Sequence, residues 1–158
     1  MVRRNHKGFS LVEVLVVLAI IGVMLTVAGI NWRKYQANTA LRSAARDIVS
    51  DIQDCKAKAT SESRRYLVAF SPGTTGFYWI WGFAGNGYDF VFKQKNFSQY
   101  GNGVQVTSTS GNVFSNAVQI EARGITSICT VNMTNSLGST ATIRTNITGK
   151  TYVTFNIK

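Results

Sequence analysis

The sequence is short of the residues on which most catalytic and metal chemistry depends. Its 158 residues include one histidine, His6, and seven Asp and Glu spread from Glu13 to Glu121. A Ser-His-Asp triad or a histidine-bound metal needs more than that, placed closer together. Two cysteines, Cys55 and Cys129, exclude an iron–sulfur or cysteine–zinc cluster and leave room for one disulfide. Pro72 is the one proline, and no glycine falls between Ile30 and Ser71, so neither helix breaker interrupts that stretch. Charged residues make up 15% of the chain and hydrophobic ones 45%, which excludes a disordered, charge-rich polymer. Beyond residue 65 the only acids are Asp89 and Glu121, and no histidine stands by to act as a base. The chain is therefore not expected to be an enzyme, and no catalytic residue, cofactor or metal is expected. A calcium site would need clustered oxygen ligands that are not there.

The charge that is present leans one way, 17 Lys and Arg against the seven acids, a formal +10. Residues 1–8, MVRRNHKG, carry Arg3, Arg4 and Lys7 and no acid. From Phe9 to Ile30 there is one charge, Glu13, and an unbroken apolar run from Val14 to Ile21. That length suits a helix spanning a bilayer, which takes about 20 apolar residues. The short basic leader keeps the amino terminus cytoplasmic and sends the remainder out, with Arg33-Lys34 marking the far edge. An ordinary secretory signal has an apolar region of roughly 7–15 residues ending in small residues, and Thr26-Val27-Ala28 could serve as its cleavage site. Against that alternative stand the longer span and Glu13. An ionisable group in lipid costs a few kcal/mol unless partnered, and it reads as functional.

Beyond the span, Leu41, Ala44, Ala45, Ile48, Ile52, Cys55 and Ala59 recur at spacings of three and four, one apolar stripe of a continuing helix that ends near Ser63. The polar face is assigned Arg42, Arg46, Asp47, Asp51, Asp54, Lys56 and Lys58. After Arg65 the texture changes to short runs rich in Thr, Val, Ile and aromatics. Strands are expected over 66–70, 77–83, 88–92, 104–107, 117–121, 128–133, 141–145 and 151–157, with Gly85-Asn86-Gly87 as a hairpin turn. The expected fold class is α+β, a long N-terminal helix, transmembrane in its first half, packed on an antiparallel sheet. The expected segments are 1–8, a leader; 9–30, the transmembrane helix; 31–64, its amphipathic continuation; and 65–158, a β-rich head.

Lys7-Gly8-Phe9-Ser10-Leu11-Val12-Glu13, followed by an apolar helix, resembles the class III signal of type IV pilins and type II secretion pseudopilins. The resemblance implies that prepilin peptidase cuts between Gly8 and Phe9 and methylates the amino group of Phe9. It further implies that Glu13 pairs with the freed amine of a neighbouring subunit's Phe9 inside a filament. A carboxylate becomes tolerable in lipid once a cationic amine meets it. The head resembles the GspH/FimT branch through Glu121-Ala122-Arg123-Gly124 and the run Ile143-Arg144-Thr145-Asn146-Ile147-Thr148-Gly149-Lys150. The implied function is a minor pilin of a type IV pilus, acting in assembly. The alternatives are an H-type minor pseudopilin of a type II secretion system and a membrane-anchored binding protein that never polymerises. The implied partners are other pilins or pseudopilins, prepilin peptidase and the bacterial inner membrane, with the head periplasmic and the mature chain in the pilus or pseudopilus.

Some DNA-binding members of that branch carry Gly-Arg-x-Arg where this chain has Gly149-Lys150-Thr151-Tyr152, one cation where the motif has two. The basic balance independently suits a polyanion, because neutralised phosphates release counterions. The candidate DNA contacts are Arg144, Lys150, Lys93, Lys95 and Arg123, joined by Lys158, with Tyr78, Trp79 and Trp81 available to stack on bases. The opposing reading makes 77–83 sheet core and the lysines solubilising charge. Cys55, on the helix stripe, and Cys129, on a strand face, both point to the space between helix and sheet. In an oxidising compartment they either bridge or remain two buried thiols.

Overall fold

A computed structural model describes residues 9–73, 76–83, 88–111, 113 and 116–158, without the side chains of 27–30 and 88–90. The expected hairpin turn at 85–87 lies outside the described residues. Helix α1 spans Leu11–Glu62. Ser10 opens it: its hydroxyl oxygen accepts the Val12 N–H at 3.3 Å and its carbonyl accepts the Val14 N–H at 3.3 Å. Ser63 closes it in the left-handed conformation, φ 52°, while the Arg64 N–H returns to the Ala59 carbonyl at 3.2 Å. The chain divides into two compact units, Met1–Tyr35 and Gln36–Lys158, and α1 runs through both.

In the second unit the apolar stripe of α1 is fully buried, every residue from Leu41 to Ala59 named for it among the core. Two four-stranded antiparallel sheets supply the rest, where a single sheet was expected. The first has the order β3-β2-β1-β5, with β1 Tyr66–Phe70, β2 Phe77–Phe83, β3 Tyr88–Asn96 and β5 Ala117–Ile120. The second has the order β4-β6-β7-β8, with β4 Gln105–Gly111, β6 Cys129–Thr134, β7 Thr140–Thr145 and β8 Thr151–Asn156. A short 3-10 turn, Phe97–Tyr100, leads from β3 toward β4. Tyr66, Val68, Phe70, Tyr78 and Ile80 from the first sheet share one core with Val106, Val131, Met133 and Ile143 from the second. Each expected strand has its counterpart, but β3 and β4 run four residues further than expected, through Lys93–Asn96 and Ser108–Gly111. These polar extensions are held by side chains. Asn132 Nδ2 donates to Ser108 Oγ at 3.0 Å and Thr142 Oγ1 donates to Asn132 Oδ1 at 2.9 Å, a polar ladder across three strands.

A buried polar clamp closes the other end of the second unit. Asn135, 4% exposed, donates from Nδ2 to the Ala37 carbonyl and to Asn38 Oδ1, both at 3.0 Å. Its Oδ1 accepts the backbone N–H groups of Leu137 and Ser139 at 3.0 Å. Ser139 Oγ donates to Asn38 Oδ1 at 2.8 Å and accepts the Lys158 N–H at 3.0 Å, while Asn38 Nδ2 donates to the Lys158 carbonyl at 3.3 Å. Every donor and acceptor in this cluster finds a partner, which is what makes its burial tolerable.

Candidate assembly helix and head surface

The first unit presents its apolar side chains to the outside. Phe9 is 82% exposed, and the large aliphatic residues from Leu11 to Leu25 are all exposed. The helix is long and apolar enough to cross a membrane, with a window of mean hydropathy 2.8 of which none is buried. Within this surface Glu13 stands one turn after Phe9, beside a groove lined by Phe9, Val14, Val17 and Leu18. The carboxylate is thus set among apolar side chains. Gly8 lies outside the described residues.

In the second unit an acidic pair on α1 grips the first sheet. Asp51 is 3% exposed, with Oδ1 accepting Lys93 Nζ at 2.6 Å and Oδ2 accepting the Tyr78 hydroxyl at 2.6 Å. Lys95 Nζ lies 3.4 Å from Asp51 Oδ2 and 3.1 Å from Asp47 Oδ2, which also accepts the Tyr100 hydroxyl at 2.7 Å. The Tyr100 hydrogen bond, helped by Lys95 and working against desolvation, holds the Asp47 carboxyl below its usual range. Burial alone would lower Lys95, but its hydrogen bond to Asp47 and the two carboxylates outweigh that and raise it. Burial, then the Asp51 contact, raises Tyr78. Three expectations are corrected here. Asp51 belongs to the buried face of α1, because it sits one turn before Cys55 at the margin of the stripe. Lys93 and Lys95 are tied to carboxylates and do not form a free cationic face. Tyr78 is fully buried and cannot stack on a base; the half-buried outer face of β2 consists of Phe77, Trp79, Trp81 and Phe83.

The remaining cation candidates are exposed. Arg144 lies on β7 between Thr130 and Tyr152, and Lys150 Nζ stands 5.2 Å from the Tyr152 ring centroid. Arg123 is exposed in the β5–β6 loop, and none of these three has a carboxylate within ion-pair distance among the described residues. Sequence reasoning overlooked Lys56, which organises this corner. Its Nζ donates to the Thr148 carbonyl at 2.7 Å, while Gln53 Nε2 donates to the Gly149 carbonyl at 3.1 Å. Both loop glycines flank the lysine stem. A Cβ on Gly124 would lie 3.4 Å from Lys56 Cε and one on Gly149 2.7 Å from Nζ, and both glycines have φ +76°. The signal was legible in part: two glycines, each beside a cation, at turns that return to the helix.

Of the two readings left open for Cys55 and Cys129, the structure has the two buried thiols. Cys55 borders a cavity of about 410 Å³ with Ile80 and Phe92 of the first sheet, whereas Cys129 on β6 faces Gly111 and Thr145 of the second. Burial pushes Cys55 up to about 12, aided by Asp51 and Asp54, and Cys129 up to about 11. Among the described residues no group of three or more His, Cys, Asp or Glu side chains could hold a metal ion.

The profile of the prokaryotic N-terminal methylation motif matches residues 3–29. Two fimbrial proteins of Pseudomonas aeruginosa are each 30% identical over 81 residues, 45% of this chain. The alignment covers 53% of their length, so the chain spans about half of the curated relatives it matches. The crystal structure of the type IV minor pilin FimU of Pseudomonas aeruginosa aligns with a TM-score of 0.58 at 12% identity, covering 76% of this chain and 92% of that one. The fold is shared with that protein, a helix packed on antiparallel sheets, as expected from the α+β reading. Motif, fimbrial relatives and fold thus all carry a similarity to proteins of the type IV pilin superfamily.

Proposed function

We propose that this chain is a minor pilin of a type IV pilus. It enters the inner membrane through the Phe9–Ile30 segment with its head periplasmic, loses residues 1–8 to prepilin peptidase, and joins a filament through the same helix. The observation that carries this reading is a continuous exposed aliphatic surface, from Phe9 to Leu25, interrupted by one carboxylate a single turn from the new terminus. Such a surface needs lipid first and other apolar helices afterwards. In the second setting Glu13 meets the Phe9 amine of a neighbouring copy or of another pilin, which removes the cost of a lone buried charge. Mass spectrometry of the mature protein should show a chain beginning at Phe9 and carrying one extra methyl group. Glu13→Val should insert into membranes as well as the parent and be lost from sheared filaments. A mature terminus elsewhere, or normal incorporation of Glu13→Val, would overturn the proposal. Loss of protein secretion with intact pili would move the chain to the H-type pseudopilins.

A second activity, weak and salt-sensitive DNA binding, is favoured by the exposed corner of Arg144, Lys150 and Arg123. Phosphates would meet cations that have no carboxylate within ion-pair distance among the described residues, with Tyr152 beside Lys150 as a stacking surface. Lys93 and Lys95 have no part in this reading.

A further inference from the structure

Immediately after the apolar segment the helix carries Trp32, Arg33, Lys34 and Tyr35, two aromatics and two cations within one turn, all exposed. Trp32 is 62% and Tyr35 64% exposed, and their ring centroids stand 6.1 Å apart at 34°, so the pair forms one aromatic ledge on a single helix face. The half-buried Trp79 and Trp81 are strands' side chains in the second unit, and neither offers this kind of free surface. From Leu11 to Ile30, at about 1.5 Å per residue, the helix rises about 30 Å, the thickness of a bilayer's hydrocarbon core. Trp32 therefore falls where hydrocarbon gives way to headgroups. There an indole or phenol can bury its ring against acyl chains while its N–H or O–H reaches an ester or phosphate oxygen.

We propose that Trp32, Arg33, Lys34 and Tyr35 form a phospholipid headgroup site that fixes the depth of the helix in the outer leaflet of the inner membrane. This rests on reading Phe9–Ile30 as the membrane span. The occupant is phospholipid because the two cations complement its phosphates. A second copy of the chain at the same height would instead bring another Arg33-Lys34 pair against them.

The test uses the full chain in phosphatidylcholine–phosphatidylglycerol vesicles whose lipids carry bromine either near the headgroup end of the acyl chain or near its terminal methyl. Trp79→Phe with Trp81→Phe leaves Trp32 as the emitter. If that pair disturbs the head, the difference between the parent and Trp32→Phe isolates the same signal. The shallow bromine should quench Trp32 more strongly than the deep one, by about twofold, as expected for a ring at headgroup level. Stronger quenching by the deep bromine, or none by either in a chain that resists carbonate extraction, would overturn the headgroup site and leave the span intact. A chain extracted by carbonate would overturn the span and the site with it.

Discussion

Replacing Asp51 by Asn tests whether the acidic pair holds the helix to the first sheet. The substitution keeps the volume and removes the charge from a side chain that is 3% exposed and has three donors on it, Lys93, Tyr78 and Lys95. Removing one partner of a fully buried ion pair costs about 3–5 kcal/mol. The lysine side chains are 38% and 20% exposed and can regain some water, which lowers the figure. Asn keeps one acceptor oxygen, so either the Tyr78 hydroxyl or Lys93 faces an NH2 group instead. A buried donor without its acceptor costs about 1–3 kcal/mol. The expected loss is about 2–3 kcal/mol. At about 4 °C per kcal/mol for a unit of this size, the melting temperature should fall by about 8–12 °C. Near-ultraviolet circular dichroism of the full chain in detergent would follow it, since Tyr78, Trp79 and Trp81 report packing of the first sheet. The exposed Asp54 is the control: Asp54→Asn should stay within about 0.5 kcal/mol of the parent. A shift below about 2 °C for Asp51→Asn, or an equal shift for the control, would refute the assignment.

Stability should be lost toward both extremes of pH. Asp47 titrates lower in the fold than unfolded, so its contribution is present above about pH 4 and disappears as pH falls through the folded value. Cys55, Cys129 and Tyr66 are raised to about 12, 11 and 12, so the fold favours their neutral forms. That contribution is complete below pH 9 and is lost upward from there, by up to about 1.4 kcal/mol per pH unit for each group. Urea midpoints that stay level from pH 9 to pH 11 would contradict it. Gly149→Ala forces φ +76° on a residue with a Cβ and crowds Lys56, so about 1 kcal/mol of stability and the Lys56–Thr148 contact should go, read by urea unfolding. In gel-shift titrations at low salt, Arg144→Ala with Lys150→Ala should weaken DNA binding and reduce the log–log salt slope by about 2. Unchanged binding would remove this corner from the account.

The buried stripe and the strand pattern were readable because their periods, 3.6 and 2, are written in apolar residues. Leu41 through Ala59 and the alternation of Tyr78 and Ile80 with Phe77 and Trp79 are examples. What escaped was set by polar residues whose partners lie far along the chain. Asp51 looks like solvent-facing helix until Lys93 and Tyr78 are brought to it from 42 and 27 residues away. For the same reason β3 looked finished at Phe92, since Lys93, Gln94 and Lys95 are poor strand formers without the carboxylates that meet them. The division of the strands into two sheets is likewise not encoded in local patterning. The N-terminal methylation motif could be read because it is contiguous, whereas the contacts of Lys56 became visible only once two distant turns closed over it.

Asn38 is bonded to residues 97 to 120 positions further on, among them Asn135, Ser139 and Lys158. A polypeptide synthesised amino end first must therefore hold this turn of helix unsecured until almost all of itself has been made. Its attachment is among the last events of maturation, since contacts that distant in sequence wait on loop closure. Of these three partners, a chain cut short of Ser139 would leave Asn38 only Asn135.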